Sequence, residues 1–288
     1  VFFDVQIAGK NCIATAAIST WQHKPLSVVT VGMHPRLSGT GEWLFFERKN
    51  GRVFEIWRRN VATGVGEERV LSDAHEVAVR DVSSDGSAII VQITQPSAGM
   101  GKVAEFRLFD TKTRKYSDLD LGLGACFLSG GDIVFARGDG SGLFRRDALG
   151  TETRLTPSGA FPVASIDGSK LVYLKSPLAS FQRQEWLLLD LSEGVIRTLG
   201  SVNNHIFSGD GRSLIVVGPT ANATMWRYDI STASRHEITQ PSGYVGYWTT
   251  SAGGTAAATP GTPSVVLVLD PSGKSMKTLF PLWPTGSP

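Results

Sequence analysis

The hydrophobic residues of this chain come in short runs of branched and aromatic side chains, and each run is broken by a glycine turn or a short polar residue. The clearest runs follow one text: SSDGSAIIVQ at 83–92, SIDGSKLVYL at 165–174 and SGDGRSLIVV at 208–217. A diverged copy, SGTGEWLFFE, occupies 38–47, and weaker ones, LSGGDIVFA and TSAGGTAAA, occupy 128–136 and 250–258. The glycine is demanded because tight hairpin turns place a residue at positive φ, which Asp-Gly and Gly-Gly tolerate and β-branched residues do not. Long patterns of helical period are absent, so the pattern predicts many short strands and no long helix.

The glycine marks fall at Gly41, Gly86, Gly131, Gly168, Gly211 and Gly254. A second mark, a short polar residue closing a hydrophobic or aromatic run, falls at Asn60, Asp110, Asp147, Asp190, Asp229 and Asp270 with the same period. Each unit thus reads as a strand, a turn at the glycine, a second strand, a third ending at Asp or Asn, and a fourth. The acids suit turns, because an Asp side chain accepts backbone N–H bonds two residues on, so they are structural before they are catalytic. A four-stranded unit recurring at this spacing predicts an all-β fold, a six-bladed β-propeller of four-stranded antiparallel blades, with seven blades as the alternative. The expected propeller spans 27–281. Residues 1–26 carry two strand-like runs, expected to close the ring or to start a seventh blade, and 282–288 are a C-terminal tail.

The turn text, followed by an aromatic run ending in Asp as in MWRYD and by a closing strand as in LFRRDALGTETRLT, resembles the TolB-like (WD40-like, PD40) propeller repeat. The Pro that usually precedes Asp-Gly is replaced by Ser84, Ile166 and Gly209. The resemblance implies an exported bacterial protein, periplasmic or extracellular, that binds a protein partner. Related propellers also sit on prolyl oligopeptidase-type hydrolase domains, where they gate access; no G-x-S-x-G elbow occurs in this chain.

Composition narrows the function classes. A formal charge of +2 with both signs interspersed gives no long-range field for nucleic acid or an anionic membrane. No apolar run is long enough to span a bilayer as a helix, so no membrane span is expected. The chain opens on Val1, so the expectation is that its natural start lies upstream, with or without a signal peptide. Two cysteines, Cys12 and Cys126, are too few for a disulfide framework or a four-ligand zinc site and read as small buried hydrophobes.

Candidate chemistry follows from the repeat map. The strand before each turn glycine is the innermost, which puts His34, Arg80, His205 and Trp248 at similar heights near one channel mouth. Two histidines, an arginine and an aromatic suit a small anion, a sugar or a peptide carboxylate. His75 is out of register with the other histidines, so no metal site is assigned and no cofactor is expected. Met100, Phe181 and Met225 lie in or beside longer hairpin loops and are candidates for a partner surface. The strings WRRN, FRRD and WRYD set arginines beside aromatics, which reads as cross-strand packing rather than nucleic-acid stacking. No catalytic constellation is found, so the expected function is a non-catalytic interaction or scaffold propeller with protein partners. The alternative is small-molecule binding, or lyase or hydrolase chemistry, at the channel mouth.

Overall fold

The computed structural model describes residues 2–7, 10–15, 27–97, 101–176, 184–202, 204–208, 210–217, 225–238, 247–251, 254–259, 265–269 and 276–279. All regular structure among them is β. Strands β1 (Phe2–Ile7), β2 (Lys10–Thr15) and β3 (Ser27–Val31) form a three-stranded sheet of their own. Blade I follows with β4 (Met33–Leu37), β5 (Trp43–Asn50), β6 (Val53–Asn60) and β7 (Glu67–Asp73). Blade II holds β8 (Glu76–Val82), β9 (Ala88–Ser97), β10 (Gly101–Asp110) and β11 (Lys115–Asp120). Blade III holds β12 (Ala125–Phe127), β13 (Ile133–Ala136), β14 (Leu143–Arg146) and β15 (Glu152–Arg154). Blade IV holds β16 (Ala160–Ala164), β17 (Lys170–Leu174), β18 (Trp186–Asp190) and β19 (Ile196–Gly200). Blade V is β20 (Asn204–Phe207), β21 (Ser213–Val217), β22 (Met225–Asp229) and β23 (Ser234–Ile238), and blade VI is β24 (Tyr247–Ser251), β25 (Gly254–Thr259), β26 (Val265–Leu269) and β27 (Met276–Leu279).

Each blade is a four-stranded antiparallel meander with its strands in sequence order, so the fold is the six-bladed β-propeller that the period predicts. The N-terminal part differs in detail. Ser27–Val31 pairs with β2, and the first four-stranded sheet starts at Met33. The chain forms two compact units: His34–Ser201 contains blade I from His34 onward and blades II, III and IV, while Val1–Met33 with Val202–Pro288 contains the three-stranded sheet and blades V and VI.

The repeated turn has a physical logic beyond its glycine. In blade II the Ser83 hydroxyl donates to Asp85 Oδ1 (3.0 Å) and accepts from the Ala88 N–H (3.0 Å), while the same carboxylate accepts from the Ser87 N–H (3.0 Å). The same bonds recur through Ser165 and Asp167 in blade IV and through Ser208 and Asp210 in blade V. These serines are buried, as is Ser38 in the diverged copy, where Asp is replaced by Thr40. The N–H donors hold the Asp85 carboxyl down to about 2, the backbone bond from Ser87 being the main cause. The strand-closing residues act as the sequence implies: Asn60, Asp110, Asp147, Asp190 and Asp229 each accept N–H bonds from the turn that follows. Asp270 lies outside the described residues.

Within the unit His34–Ser201 the second strands face neighbours on both sides, which is why they read as unbroken apolar runs. Ile89, Val91 and Ile93 of β9 pack with Phe45, Ile56, Val77 and Val79, whereas Ile90 packs on the opposite side with Phe106, Phe127 and Phe135. Burying one such side chain contributes roughly 1.5–3 kcal/mol. Blades III and IV share a further core of Val134, Leu143, Leu171 and Tyr173. Hydrogen bonds stitch neighbouring blades: Thr40 N–H donates to Ser84 O (2.9 Å), and the Ser129 hydroxyl donates to Asp167 O (2.7 Å). The arginine–aromatic strings pack as expected in blade I, where the Arg58 guanidinium lies over Trp43 at 4.6 Å. Arg227 departs from that reading: it is buried and donates to Ser213 Oγ (3.3 Å).

Candidate functional site

The first strands of the unit His34–Ser201 are irregular at one repeated position. Seven residues before the turn glycine stand His34, Gly124 and Phe161, all at positive φ (52, 113 and 50°). In blade II the strand instead shifts register between Val79 and Asp81, so that Arg80 occupies a bulge. Bulges and left-handed residues re-aim side chains that regular pleating would send elsewhere. A histidine or phenylalanine in this region is uncommon and stores strain, which concentrates at functional positions.

His34 and Arg36 stand two residues apart on β4, and His34 meets the acid Glu47 on β5. His34 Nδ1 lies 2.7 Å from Glu47 Oε2, with the imidazole 44% exposed and the carboxylate 9%. The other oxygen, Oε1, accepts the Val79 N–H at 3.0 Å, tying blade I to blade II. Glu47 is therefore a buried acid whose two oxygens are both used. Arg80 donates from Nε to Gln92 Oε1 (2.6 Å). Its proton affinity is lowered mainly by desolvation and also by the Arg36 charge, while Glu47 and Glu76 act in the opposite direction.

Asp81 completes the group. Its Oδ2 accepts the Phe127 N–H (2.8 Å) and its Oδ1 the Val82 N–H (2.9 Å), joining blades II and III. Burial pushes its carboxyl above the ordinary range against these two bonds and the Arg36 charge. Cys126 lies close by, its thiol pushed well up by burial and further by the Asp81 charge. Arg36 Nε is buried and has no hydrogen-bond partner. Neither Arg36 nor Arg80 has an acid within ion-pair distance among the described residues.

Of the residues singled out in the sequence, His34 bonds Glu47 and Arg80 bonds Gln92, and the Glu47 charge acts on Arg80 without a hydrogen bond between them. His205 lies on β20 opposite Val216, in the other unit, and burial lowers its pKa to about 4. Trp248 lies on β24 of that unit opposite Ala257, and its side chain is outside the described residues. Met100 and Phe181 also lie outside them. Met225 is a correction: its side chain is fully buried, because it opens β22 between Val217 and Ile238 instead of ending the preceding loop. Both cysteines are free and buried. Arg36, Glu47 and Asp81 were missed by sequence reasoning. The signal for Glu47 was an acid inside the second-strand run WLFFERKN; for Arg36 it was the two-residue alternation from His34. Among the described residues no three His, Cys, Asp or Glu side chains are grouped to hold a metal ion.

No family model matches the sequence, and no curated protein matches it. Solved structures do. TolB from Acinetobacter baumannii superposes with TM-score 0.59 at 17% identity, covering 84% of this chain and 64% of that one. The acylaminoacyl peptidase of Pyrococcus horikoshii gives 0.65 at 13% identity over 93% of this chain and 47% of its own. A prolyl endopeptidase gives 0.60 at 12% identity over 96% and 47%. These likenesses show the fold, a TolB-like propeller. The chain spans just under two thirds of TolB and about half of the peptidases.

Proposed function

We propose that this propeller is a non-catalytic interaction module, a scaffold subunit of an exported or envelope-associated bacterial assembly acting in the periplasm or outside the cell. The observation that carries this reading is how the repeat spends its acids. Asp85, Asp110, Asp147, Asp167, Asp190 and Asp229 all accept backbone N–H bonds in turns, and each carboxyl is held below its ordinary range. They remain ionised anchors and do not poise protons near neutral pH. A frame locked in this way holds its loops in place, so binding through them costs little ordering entropy. Within this reading the hairpin loops carrying Met100 and Phe181 form the partner surface. The likeness to TolB supports an exported setting, and no helix among the described residues is long and apolar enough to cross a membrane.

The test is isolation from the source under mild conditions, followed by native mass spectrometry with metal analysis. The reading expects a protein subunit at fixed stoichiometry, lost when Met100 and Phe181 are changed to Asp. A lone chain carrying a stoichiometric metal or small ligand would overturn it.

A second reading is favoured by the peptidase structures, in which a propeller like this one makes up about half of the chain. The chain then serves as the accessory domain of a larger hydrolase. Sequencing the full reading frame and assaying its product on blocked peptides separates the two.

A further inference from the structure

We infer that the first strands of blades II and IV hold a docking site for the C-terminal residue of a partner polypeptide, with Arg80 taking its carboxylate and Phe161 its large apolar side chain. The inference rests on the interaction-module reading and adds which part of the partner is recognised, and where.

Two interruptions of regular pleating aim these residues. In β8 the register shifts between Val79 and Asp81 and sets Arg80 in a bulge; in β16 it shifts between Ala160 and Val163, around Phe161. Phe161 stands at φ 50°, where a bulky side chain is an outlier, and the residue is still 41% exposed. The strain does not serve to bury the ring, and strain of this kind gathers where a side chain is needed for binding. The two residues border one continuous surface. Arg80 donates from Nε to Gln92 Oε1 (2.6 Å), Gln92 stands directly opposite Phe106 on β10, and the Phe106 ring meets that of Phe161 edge to face, with centroids 6.2 Å apart. Residues directly opposite on antiparallel strands share a face. Gly124 of blade III lets Phe161 come this close: a Cβ there would lie 3.1 Å from Phe161 Cα and 3.3 Å from its Cδ1.

Blade III leaves this surface open beyond Phe106. Its strands β13 and β14 have four residues each against ten in β9 and β10, so the blade II hairpin reaches roughly 20 Å further from its glycine turn. Burial falls off along the side that faces blade III, from Ile90 and Phe106 in the shared core, through half-buried Gln92 and Thr94, to exposed Ala104. The bond to Gln92 fixes the plane of the Arg80 guanidinium. Among the described residues it is the only hydrogen bond to that side chain, so Nη1 and Nη2 keep their donors. Glu47 does not take them, because its oxygens go to His34 and to the Val79 N–H. Two parallel N–H donors match the two oxygens of a carboxylate, and the half-exposed aromatic pair matches an apolar side chain. A carboxylate and a side chain on one carbon are what the last residue of a polypeptide offers and an internal residue does not.

The test titrates the whole chain at constant ionic strength with N-acetylphenylalanine, with its amide, which lacks the charge, and with N-acetylglycine, which lacks the ring. Binding is read by calorimetry and by saturation-transfer NMR. Saturable binding of the acid is expected, at least about tenfold tighter than that of either other probe. Phe161→Gly should weaken the acid at least about tenfold and leave the melting temperature near that of the native protein, since glycine takes φ 50° without strain. Arg80→Gln should bring the acid down to the level of the amide and leave the amide unchanged. Leu149→Ser, at a turn of blade III and 92% exposed, should alter none of the three. No saturable binding of the acid, equal binding of acid and amide, or an acid preference that survives Arg80→Gln overturns the inference, and the first two outcomes need no variant to fold. A chain that fails these titrations yet keeps a protein subunit at fixed stoichiometry loses the docking site and leaves the interaction module standing. A chain that binds the acid but isolates without a subunit keeps the site and loses the module.

Discussion

At the scale of single residues the most telling group is Glu47. It is an acid buried in an apolar second strand, and it is tolerated because one oxygen meets His34 and the other the Val79 N–H. Glu47→Gln keeps both partners, since an amide can accept from Val79 and donate to Nδ1, and should change stability by less than about 1 kcal/mol. Glu47→Leu strands a buried N–H and should cost roughly 2–4 kcal/mol in chemical denaturation. Equal effects for the two would mean that the carboxylate's bonds do not hold blade I to blade II. Cys12 and Cys126 give a second residue-scale expectation: both are buried, so iodoacetamide should label neither in the native protein and both after denaturation. Sequence made half of this site legible. His34 and Arg80 stand out because the turn glycine gives them a height. Arg36, Glu47 and Asp81 do not, because their roles depend on which neighbouring strand supplies the partner, and spacing within one repeat is silent about that.

At the scale of the element the turn is the unit that sequence specifies best, and glycine substitutions should separate its two demands. Gly131 sits at φ 88° in open space, so Gly131→Ala meets only the conformational penalty, about 1–2 kcal/mol. Gly168 sits at φ 71°, and a Cβ there would lie 2.7 Å from the backbone nitrogen of Ser129 in the next blade. Gly168→Ala should therefore cost roughly 2–4 kcal/mol, measurably more than Gly131→Ala in parallel urea titrations. The positive φ was legible from Asp-Gly and Gly-Gly. The close approach was not, since it joins residues from different repeats. The same distinction accounts for Met225: the polar stretch at 218–224 marks a loop, but nothing in the local text says where β22 begins, and burial shows it begins at Met225 itself.

At the scale of the whole molecule the titrating groups predict a stability profile with two acid limbs. His205 has its pKa lowered from 6.5 to about 4 by desolvation, so between these values the unfolded chain binds a proton that the folded one refuses. The stability associated with neutral His205 is complete above pH 6.5 and is lost as pH falls toward 4, by on the order of 1–3 kcal/mol. Asp85 and Asp229 behave in the same direction lower down: their carboxyls are held from 3.8 to about 2, so their contribution is complete above 3.8 and lost as pH falls toward 2. Both are near solvent, and screening keeps each contribution under about 1 kcal/mol. Urea midpoints measured from pH 8 to pH 3 should be flat above pH 6.5 and then decline. In His205→Gln the decline should be displaced to below about pH 4, leaving only the carboxylate limb, whereas Asp85→Asn should leave the upper limb intact. A His205→Gln profile that still falls between pH 6.5 and 4 would show that neutral His205 does not carry that limb.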